Sequence, residues 1–324
     1  MDVSVIICTH NPREDHLRRT LESLDMQTLP KSRWELLLVD NASAEPLDGQ
    51  WDLSWHPHAR HVREDELGLT PARLRGISEA GGELFVFVDD DNVLKNDYLA
   101  VATAVADAHP HLGCFGAGVI NPEFEEPSAP ELLPYTKMLA LRNAGSPHWS
   151  NIPDDPWFPW GAGLVVLRSV AHEHAKRRGS SALSKILGRK GESLTSCEDD
   201  EISWTACSLG LGRGIFPELT IIHLIDKRRV GKNYLIRLAE GISYSKVILN
   251  DIHGRISDVP APPPSFSGVL EALLSISPSR ILFETQRWWS YRNRRQIEKD
   301  FEQASRAGVI HALDDLRRWN QTKL

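Results

Sequence analysis

The sequence predicts an α/β fold in which a mainly parallel central sheet is flanked by helices and followed by a helical C-terminal extension. Apolar runs of strand length alternate with stretches of helical spacing through residues 1–225. This alternation is typical of parallel strands joined by right-handed crossovers. Two of the apolar runs, 34–39 and 84–88, end directly on acidic residues. Because ligands bind beyond the carboxyl ends of parallel strands, we expect a binding site at that edge of the sheet.

The first 110 residues are predicted to contain three strands that alternate with three helices. The expected strands are 2–8, 34–39 and 84–88, and the expected helices are 17–24, 70–80 and 96–109. Thr70 and Pro71 stand where an N-cap and a first helical residue are preferred. Residues 46–66 are rich in proline, histidine and tryptophan, and we expect them to be irregular.

The next part of the chain is predicted to extend the sheet after a long loop. Further strands are expected near 113–120, 164–167 and 219–222. The proline-rich and aromatic loop 121–160 is long enough to suggest a functional or mobile segment. Residues 176–189 form a basic stretch that we expect at the surface. The pattern from Thr195 to Glu198 matches a capping box at the start of another helix.

The last 99 residues, 226–324, are predicted to form a basic and mainly helical extension. Four prolines between 260 and 264 mark a linker, after which 266–274 carries an apolar helical stripe. A second helix is expected over 287–319. The net charge is +6 in this extension and −13 in residues 1–225. Apolar, aromatic and cationic residues in 266–295 predict either peripheral contact with an anionic membrane or a helix packed on the rest of the protein.

The composition restricts the class of protein. The 324 residues are 41% hydrophobic and 25% charged, as in soluble globular proteins. The four cysteines lack CxxC spacing, which argues against a disulfide framework or a zinc site and fits a reducing compartment. With no apolar stretch of 18 residues, we expect a cytoplasmic protein, attached at most to the inner face of the membrane. The acidic body does not favour nucleic acid as a partner.

Three adjacent carboxylates, Asp89, Asp90 and Asp91, follow the apolar run 84–88. Side chains alternate along an extended chain, so Asp89 and Asp91 are expected to share a face. Two carboxylates on one face suit a hard divalent ion such as Mg²⁺ or Mn²⁺. The alternative is a strand-to-helix turn in which the acids cap the following residues. His223 ends a strand on the same predicted edge, where it either binds the metal or is a structural histidine.

Six motifs resemble, in sequence order, those of family 2 glycosyltransferases of the GT-A fold. They are the strand and turn from Ser4 to Asn11, the run from Leu38 to Ser43, Ala72-Arg73, Asp89 to Asp91, Gly161 to Gly163, and Glu198-Asp199. The resemblance covers residues 1–225. It implies an inverting transfer of a sugar from a nucleotide diphosphate donor, with a UDP-sugar favoured, to a hydroxyl of a glycan or lipid-linked saccharide. It also implies a divalent cation, Mn²⁺ or Mg²⁺, that bridges the diphosphate.

The resemblance assigns roles to individual residues of the donor site. Thr9 and Asp40 would contact the nucleotide base, although Asp40 also suits a turn. Arg73 would lie near the base and phosphates, or is simply a solvated helix charge. Asp89 would contact the ribose and also the metal, and Asp91 would be the main metal ligand. Asp90 would touch the sugar or is structural. Gly161 and Gly163 would let the backbone approach the sugar, or they form a bend at the start of a strand.

The acceptor side of the predicted site rests on Glu198 and Asp199. The resemblance identifies Asp199 as the general base that deprotonates the acceptor hydroxyl, with Glu198 beside it in the catalytic pair. A general base of this kind contributes about 10²–10⁴ to the rate. Acids in the first turn of a helix also have a structural explanation, because the helix dipole stabilises them. On this interpretation, residues 1–110 form the donor half and 111–225 the acceptor half of one GT-A domain.

Two further features have both a functional and a structural interpretation. A basic loop with Lys227, Arg228, Arg229 and Lys232 would close over the diphosphate, or it is ordinary surface. The aromatic side chains of the long loop would form an acceptor platform, or they belong to the core; they are Trp149, Trp157, Phe158 and Trp160.

Two other classes of function share some of these features. A nucleotidyltransferase would also bind a nucleotide and a divalent ion, but residues 8–12 lack the glycine-rich phosphate loop that it needs after the first strand. A nicotinamide dehydrogenase is excluded for the same reason. A non-catalytic carbohydrate-binding protein of the same fold is the third possibility.

Overall fold

The computed structural model describes residues 1–153, 155–180, 187–191, 193–254 and 278–321. The strands are β1 Val3–Thr9, β2 Trp34–Asn41, β3 Ala59–Glu64, β4 Leu84–Asp89, β5 Asn92–Leu94, β6 Leu112–Phe124, β7 Arg142–Asn143, β8 His148–Ser150, β9 Leu164–Leu167 and β10 Gly212–Ile225. The helices are α1 Glu14–Asp25, α2 Leu69–Glu79, α3 Tyr98–Ala108, α4 Arg168–Ser180, α5 Glu198–Ser208, α6 Lys232–Ile252 and α7 Pro278–Gln321. The α/β class with a helical extension is therefore confirmed.

One mixed sheet runs through the described part of the chain, in the order β3-β2-β1-β4-β9-β6-β10-β5, with β7 beside β6 and β8 beside β10. Strands β1 to β4 pair in parallel, and so do β6 and β10. The short strands β5, β7, β8 and β9 pair antiparallel with their neighbours. The predicted parallel core is thus extended by short antiparallel strands.

The first half of the sheet aligns the polar ends of its strands. Thr9 at the end of β1 lies opposite Asp40 of β2, and Cys8 lies opposite Asp89 of β4. These strands form because their apolar residues are buried on both faces, as expected for parallel strands covered by helices. The expectation that Thr9, Asp40 and the acidic triplet share one edge of the sheet is confirmed.

The second half brings more residues to that edge. β9 runs antiparallel to β4, so its first residue, Leu164, lies beside Phe87 near the carboxyl end of β4. The glycine segment 161–163 therefore arrives next to Asp89. β10 pairs antiparallel with β5, which places His223 opposite Asn92. Both contacts join segments that are far apart in the sequence.

Two local expectations for the first half are wrong. Residues 46–66 are not wholly irregular, because 59–64 form β3 at the edge of the sheet and pair with β2. Helix α2 begins at Leu69 after Gly68, and Thr70 does not cap it. The Thr70 hydroxyl instead donates to the Leu187 carbonyl, at 2.9 Å. A tertiary contact has replaced the local capping bond.

Two expectations for the second half are also wrong. Cys197, not Thr195, precedes α5, with a left-handed φ of 65° and no side-chain cap. The Thr195 hydroxyl donates to the Gly188 carbonyl, so the capping box does not form. The stretch 176–189 is not uniformly exposed, because residues 176–180 belong to helix α4 and Arg178 is 1% exposed.

The C-terminal extension packs as a helix pair. Ile297 and Phe301 of α7 join Leu235 and Leu238 of α6 in one apolar cluster, and Leu316 joins a second. The helix expected over 287–319 is confirmed, whereas the linker 260–264 and the stripe 266–274 lie outside the described residues. Among the helices described, none combines the length and hydropathy needed to cross a bilayer.

Candidate active site

The acidic triplet occupies a tight turn between two strands. β4 ends at Asp89 and β5 begins at Asn92, so Asp90 and Asp91 form the turn itself. The Thr9 hydroxyl donates to the Asp90 carboxylate, and the Asn92 amide donates to Asp91 Oδ1 at 2.9 Å. The two alternatives predicted for the triplet, a turn and a cluster of carboxylates, are therefore both present.

Asp91 is held by two positively charged or ionisable side chains. Arg229 Nη1 lies 2.8 Å and His223 Nε2 lies 3.3 Å from Asp91 Oδ2. Burial alone would raise the pKa of Asp91, but His223 and Arg229 hold this pKa well below its usual range. Burial and the adjacent Asp91 charge raise the pKa of Asp90 to about 7. The two neighbouring acids therefore differ in charge at neutral pH, with Asp91 ionised.

The residues present fit a cation site that substrate would complete. In the described ranges, no three His, Cys, Asp or Glu side chains are arranged to hold a metal ion. Asp91 Oδ2 and His223 Nε2 nevertheless lie 3.3 Å apart. Arg229 Nη1 lies 2.8 Å from the oxygen and 3.2 Å from the nitrogen, so a positive charge already stands where a cation would bind these two atoms. Mg²⁺ and Mn²⁺ often take one or two protein ligands and complete their shell with phosphate oxygens.

Arg73 links the two acidic motifs from inside the protein. Its guanidinium lies 3.5 Å from Asp89 Oδ1 and 3.5 Å from Glu198 Oε2. The side chain is 5% exposed, so the solvated-charge interpretation of Arg73 is wrong. The Asp89 side chain remains 39% exposed and is accessible to a ligand. Arg73 thus connects the end of β4 to the start of α5.

The two consecutive acids at the start of α5 have different surroundings. Glu198 is buried and lies 3.5 Å from both Arg73 and Arg178. Asp199 is partly exposed, and its Oδ2 accepts the backbone N–H of Gly161 at 2.8 Å. The geometry therefore gives Asp199 the accessible carboxylate of the pair and fixes one of its oxygens.

The two glycines of 161–163 are required by close contacts. A Cβ on Gly161 would lie 2.8 Å from Arg73 Nη2. Gly163 has a φ of +71°, and its carbonyl accepts the Tyr98 hydroxyl at 2.5 Å. Backbone in this left-handed region favours glycine. Both glycines thus shape the segment that carries the partner of Asp199.

We expect Gly161→Ala to reduce activity through Arg73. The added methyl group would push the guanidinium away from Asp89 and Glu198, at a cost of about 1–3 kcal/mol for overpacking. Small displacements of site groups lower rates by up to about 10²-fold. Thermal unfolding would measure the loss of stability, and rates of turnover would measure the loss of activity.

The matched control for this substitution is Gly145→Ala, because no atom lies within 4 Å of a Cβ built there. The control should behave as the unsubstituted protein. Equal activity of both alanine variants would show that the site tolerates displacement of Arg73 from Asp89 and Glu198, contrary to this expectation.

Asp40 is committed to the turn that follows β2. Its carboxylate accepts the backbone N–H of Ser43 at 3.1 Å and that of Leu47 at 3.2 Å, and Arg63 Nη1 at 2.5 Å. Burial opposes ionisation, yet the hydrogen bonds from Ser43 and Arg63 leave the pKa of Asp40 lowered. Asp40 therefore shapes this edge as an ionised turn residue, and contact with a base stays a prediction.

The basic loop after β10 is anchored at both ends. Residues Lys227–Arg229 form a 3₁₀ turn, and the Asp226 side chain accepts the N–H of Arg228 at its start. Asp226 also binds Arg13 Nη1 at 2.8 Å, while the last residue of the turn, Arg229, lies on Asp91. The loop thus reaches the acidic turn, as the functional interpretation requires.

We expect Asp226→Asn to destabilise the protein at neutral pH but less at acid pH. Hydrogen bonds from Arg228 and Arg13 hold the pKa of Asp226 well below its usual range. A carboxyl with a depressed folded-state pKa contributes stability above its ordinary pKa of about 4, and this contribution is lost as the pH falls further. The loss at pH 7 should be about 1–3 kcal/mol, measured by denaturant unfolding at several pH values.

Glu126→Gln is the control for this loop. Glu126 pairs with Lys227 at 3.4 Å, and both side chains are more than half exposed. Such pairs contribute about 0–1 kcal/mol, so this variant should change little at any pH. A destabilisation by Asp226→Asn that is equally large at pH 3 and pH 7 would contradict the electrostatic explanation.

Sequence reasoning missed two buried arginines near the site. Arg142 lies 3.7 Å from the centre of the Trp160 ring and donates to the Phe158 carbonyl at 2.8 Å. Arg178 contacts Glu198 and Glu201. No local signal marks Arg178, because it stands in the basic run 176–178 and its partners Glu198 and Glu201 are 20 and 23 residues away in the sequence.

The four aromatic side chains of the long loop, predicted to form an acceptor platform or to belong to the core, have different surroundings. Trp160 and Phe158 contact Arg142 and Arg213, respectively. Trp149 and Trp157 are 46% and 43% exposed. Trp149 pairs with Gly214, toward the opposite end of β10 from His223. The four aromatic residues therefore do not form one platform at the acidic turn.

Comparisons with known proteins agree with this arrangement. Residues 4–158 match the family model described as Glycosyl transferase family 2. Glycosyltransferase AglE of Haloferax volcanii is 32% identical over 92 residues, covering 28% of this chain and 30% of that protein. Poly(ribitol-phosphate) beta-N-acetylglucosaminyltransferase TarS of Staphylococcus aureus is 28% identical over 142 residues, covering 41% and 24%. The chain thus matches less than a third of the length of either relative.

A solved structure supports the fold along most of the chain. The mannosyltransferase PcManGT from Pyrobaculum calidifontis, in complex with GDP-Man and Mn²⁺, superposes with a TM-score of 0.58. The superposition covers 97% of this chain and 87% of that one, at 19% sequence identity. At this identity the likeness shows a shared fold.

Proposed function

Because residues 4–158 match the model of glycosyl transferase family 2, we propose that this protein transfers a sugar from a nucleotide diphosphate donor to a hydroxyl acceptor, with inversion at the anomeric carbon. One observation carries the proposal. The acidic turn, with Asp91 on His223 and Arg229, is joined through Arg73 to the start of α5, where Asp199 has an accessible carboxylate.

The donor diphosphate is proposed to lie at the acidic turn. A divalent cation held by Asp91 and His223 would supply positive charge against the leaving diphosphate. Arg229 already lies on Asp91, so its guanidinium is close enough to add a second positive charge as the sugar–phosphate bond breaks. The half-exposed Asp89 suits a ribose contact, and Thr9 and Asp40 stand at the adjacent strand ends for the base.

The acceptor is proposed to react beside Asp199. Its hydroxyl oxygen attacks the anomeric carbon while the bond from that carbon to the diphosphate oxygen breaks, and the electron pair leaves with the diphosphate. The hydroxyl proton passes to the Asp199 carboxylate. The bond from the Gly161 N–H to Asp199 Oδ2 orients the carboxylate and leaves Oδ1, which accepts only the adjacent Asp200 N–H in the described structure, as the basic atom.

The remaining assignments of the site follow from contacts. Glu198 is buried between two arginines, and this supports a positioning role rather than proton transfer. Gly161 and Gly163 are proposed to let the backbone pass close to the donor sugar. A UDP-sugar is proposed as donor and a glycan or lipid-linked saccharide as acceptor. Contact of 266–295 with an anionic membrane stays a prediction, because residues 266–277 and the side chains of 278–294 lie outside the described residues.

A nucleotide screen tests the proposed function most directly. The intact protein is heated with UDP, GDP, ADP or CDP, each with and without Mn²⁺, and the unfolding temperature is recorded. A ligand at 100 times its Kd stabilises a folded protein by about 2.7 kcal/mol, so the correct base should stand out and should require Mn²⁺. Nucleotide-sugar hydrolysis under the same conditions separates an enzyme from a binding protein. Absence of any selective shift or turnover would contradict the proposal.

A further inference from the structure

Five buried or partly buried charged side chains form a continuous series of ion pairs from the acidic turn to the start of α5. In order, they are Asp89, Arg73, Glu198, Arg178 and Glu201. The separations between nitrogen and oxygen are 3.5, 3.5, 3.5 and 3.3 Å along this series. Positive and negative groups alternate, so each arginine lies between two carboxylates.

Arg178 is the residue of this series that contacts the most helices and strands or segments. It belongs to α4 and contacts Glu198 and Glu201 of α5. Its Nη1 also donates to the Thr70 hydroxyl of α2 at 3.1 Å, and its Nη2 to the Leu187 carbonyl at 3.1 Å. One guanidinium therefore connects two other helices and the segment that precedes α5.

The start of α5 depends on these contacts because its local cap is missing. Cys197 provides no side-chain hydrogen bond to the helix, and neither oxygen of Glu198 has a hydrogen-bond partner in the described structure. Glu198 is held by the charges of Arg73 and Arg178. Charge contacts in a buried setting are stronger than at the surface, since water screens them less. The position of the adjacent Asp199 therefore depends on the two arginines.

We propose that Arg178 is a positioning residue that fixes Asp199 relative to the acidic turn. Without it, Glu198 would be left with Arg73 alone, and the Arg73 guanidinium would shift from Asp89 toward Glu198. The change would move Asp199, although Arg178 does not contact it, while Asp89 stays in place at the end of β4. This inference rests on the proposed function, because Asp199 is taken as the base.

The test compares Arg178→Met with Arg177→Met in the full chain. Arg177 is the preceding residue of the same helix, its side chain is 38% exposed, and it pairs with Glu173 at 2.8 Å. We expect Arg178→Met to lower kcat by about 10²-fold, the order that a displacement of about 1 Å produces. The KM for the donor should change by less than about threefold, because the acidic turn remains. Arg178→Lys should recover part of kcat, and Arg177→Met should resemble the unsubstituted protein.

A second variant separates misfolding from mispositioning. Removing Arg178 alone leaves buried carboxylates without one of their positively charged partners, which is strongly destabilising. The pair Arg178→Met with Glu201→Gln removes one charge of each sign and should unfold at a higher temperature than Arg178→Met. If the double variant is folded and its kcat is as low as that of Arg178→Met, the positioning role is supported. If its kcat equals that of the unsubstituted protein, the positioning role is wrong.

The outcomes also distinguish this inference from the proposed function. If the unsubstituted protein shows no Mn²⁺-dependent nucleotide binding and no transfer, the proposed function fails first. If it transfers sugar and the folded Arg178 variants transfer at the same rate, the proposed function stands and the positioning role is wrong. A drop in kcat matched by Arg177→Met would likewise overturn the assignment to Arg178.

Discussion

Replacing Asp199 with asparagine is expected to lower the rate of sugar transfer by about 10²–10⁴-fold, the contribution of a positioned general base. The amide oxygen of asparagine can still accept the N–H of Gly161, which Asp199 Oδ2 accepts at 2.8 Å, so the loop geometry should survive. What is lost is the ability to take the proton of the acceptor hydroxyl. Initial rates with saturating donor, together with nucleotide binding by thermal shift, would show a loss of turnover without a loss of binding.

The adjacent acid provides the control for Asp199. Burial and the charge of Asp199 raise the pKa of Asp200 to about 7, so this carboxyl already carries a proton part of the time at neutral pH. Asp200→Asn therefore removes less charge and should leave transfer within about tenfold. If Asp200→Asn abolishes transfer while Asp199→Asn is active, the base has been assigned to the wrong residue.

Replacing Asp91 with asparagine is expected to remove the response to divalent cations and to lower transfer by about 10²–10³-fold, as for loss of one charge-stabilising group. Asp91 is the carboxylate that meets both His223 and Arg229. Its loss would weaken the cation site and leave two ionisable groups without their shared counter-charge. The measurement is the Mn²⁺ dependence of the unfolding temperature in the presence of the nucleotide, with transfer rates over the same range of Mn²⁺.

Asp90→Asn is the matched comparison, because Asp90 lies in the same turn but bonds to Thr9 and not to His223 or Arg229. Whatever its own rate, this variant should keep its dependence on Mn²⁺. A protein with Asp91→Asn that still gains stability from Mn²⁺ and nucleotide would rule out Asp91 as the main ligand.

The edge of the sheet that carries the site was predictable because its signals are local. A buried parallel strand requires a run of apolar residues, and polar residues at the end of the run lie at the end of the strand. The runs before Asp40 and Asp89 are of this kind, and parallel pairing then sets Thr9, Asp40 and Asp89 side by side. The roles assigned to individual residues came from the family resemblance, and they stay predictions.

The errors arise where tertiary contacts override local preference. Thr70 and Thr195 have the residue type and spacing of helix caps, but both hydroxyls bond to the segment 187–188 instead. The basic run around Arg178 predicts an exposed charge, yet Arg178 pairs with two carboxylates of α5. Strand β3 lacked a continuous apolar run, as expected for an edge strand that only partly buries its side chains. None of these partners is adjacent in sequence.

The position of β9 restricts how this protein can move. β9 is hydrogen-bonded to β4 on one side and to β6 on the other, so residues 1–110 and 111–225, the predicted donor and acceptor halves, share one continuous sheet. Opening a cleft between two rigid lobes would require breaking that ladder, which is far costlier than bending a loop. Any motion at the site is therefore expected in surface segments such as the turn Lys227–Arg229, while Thr9, Asp40 and Asp89 keep their places on the paired strands.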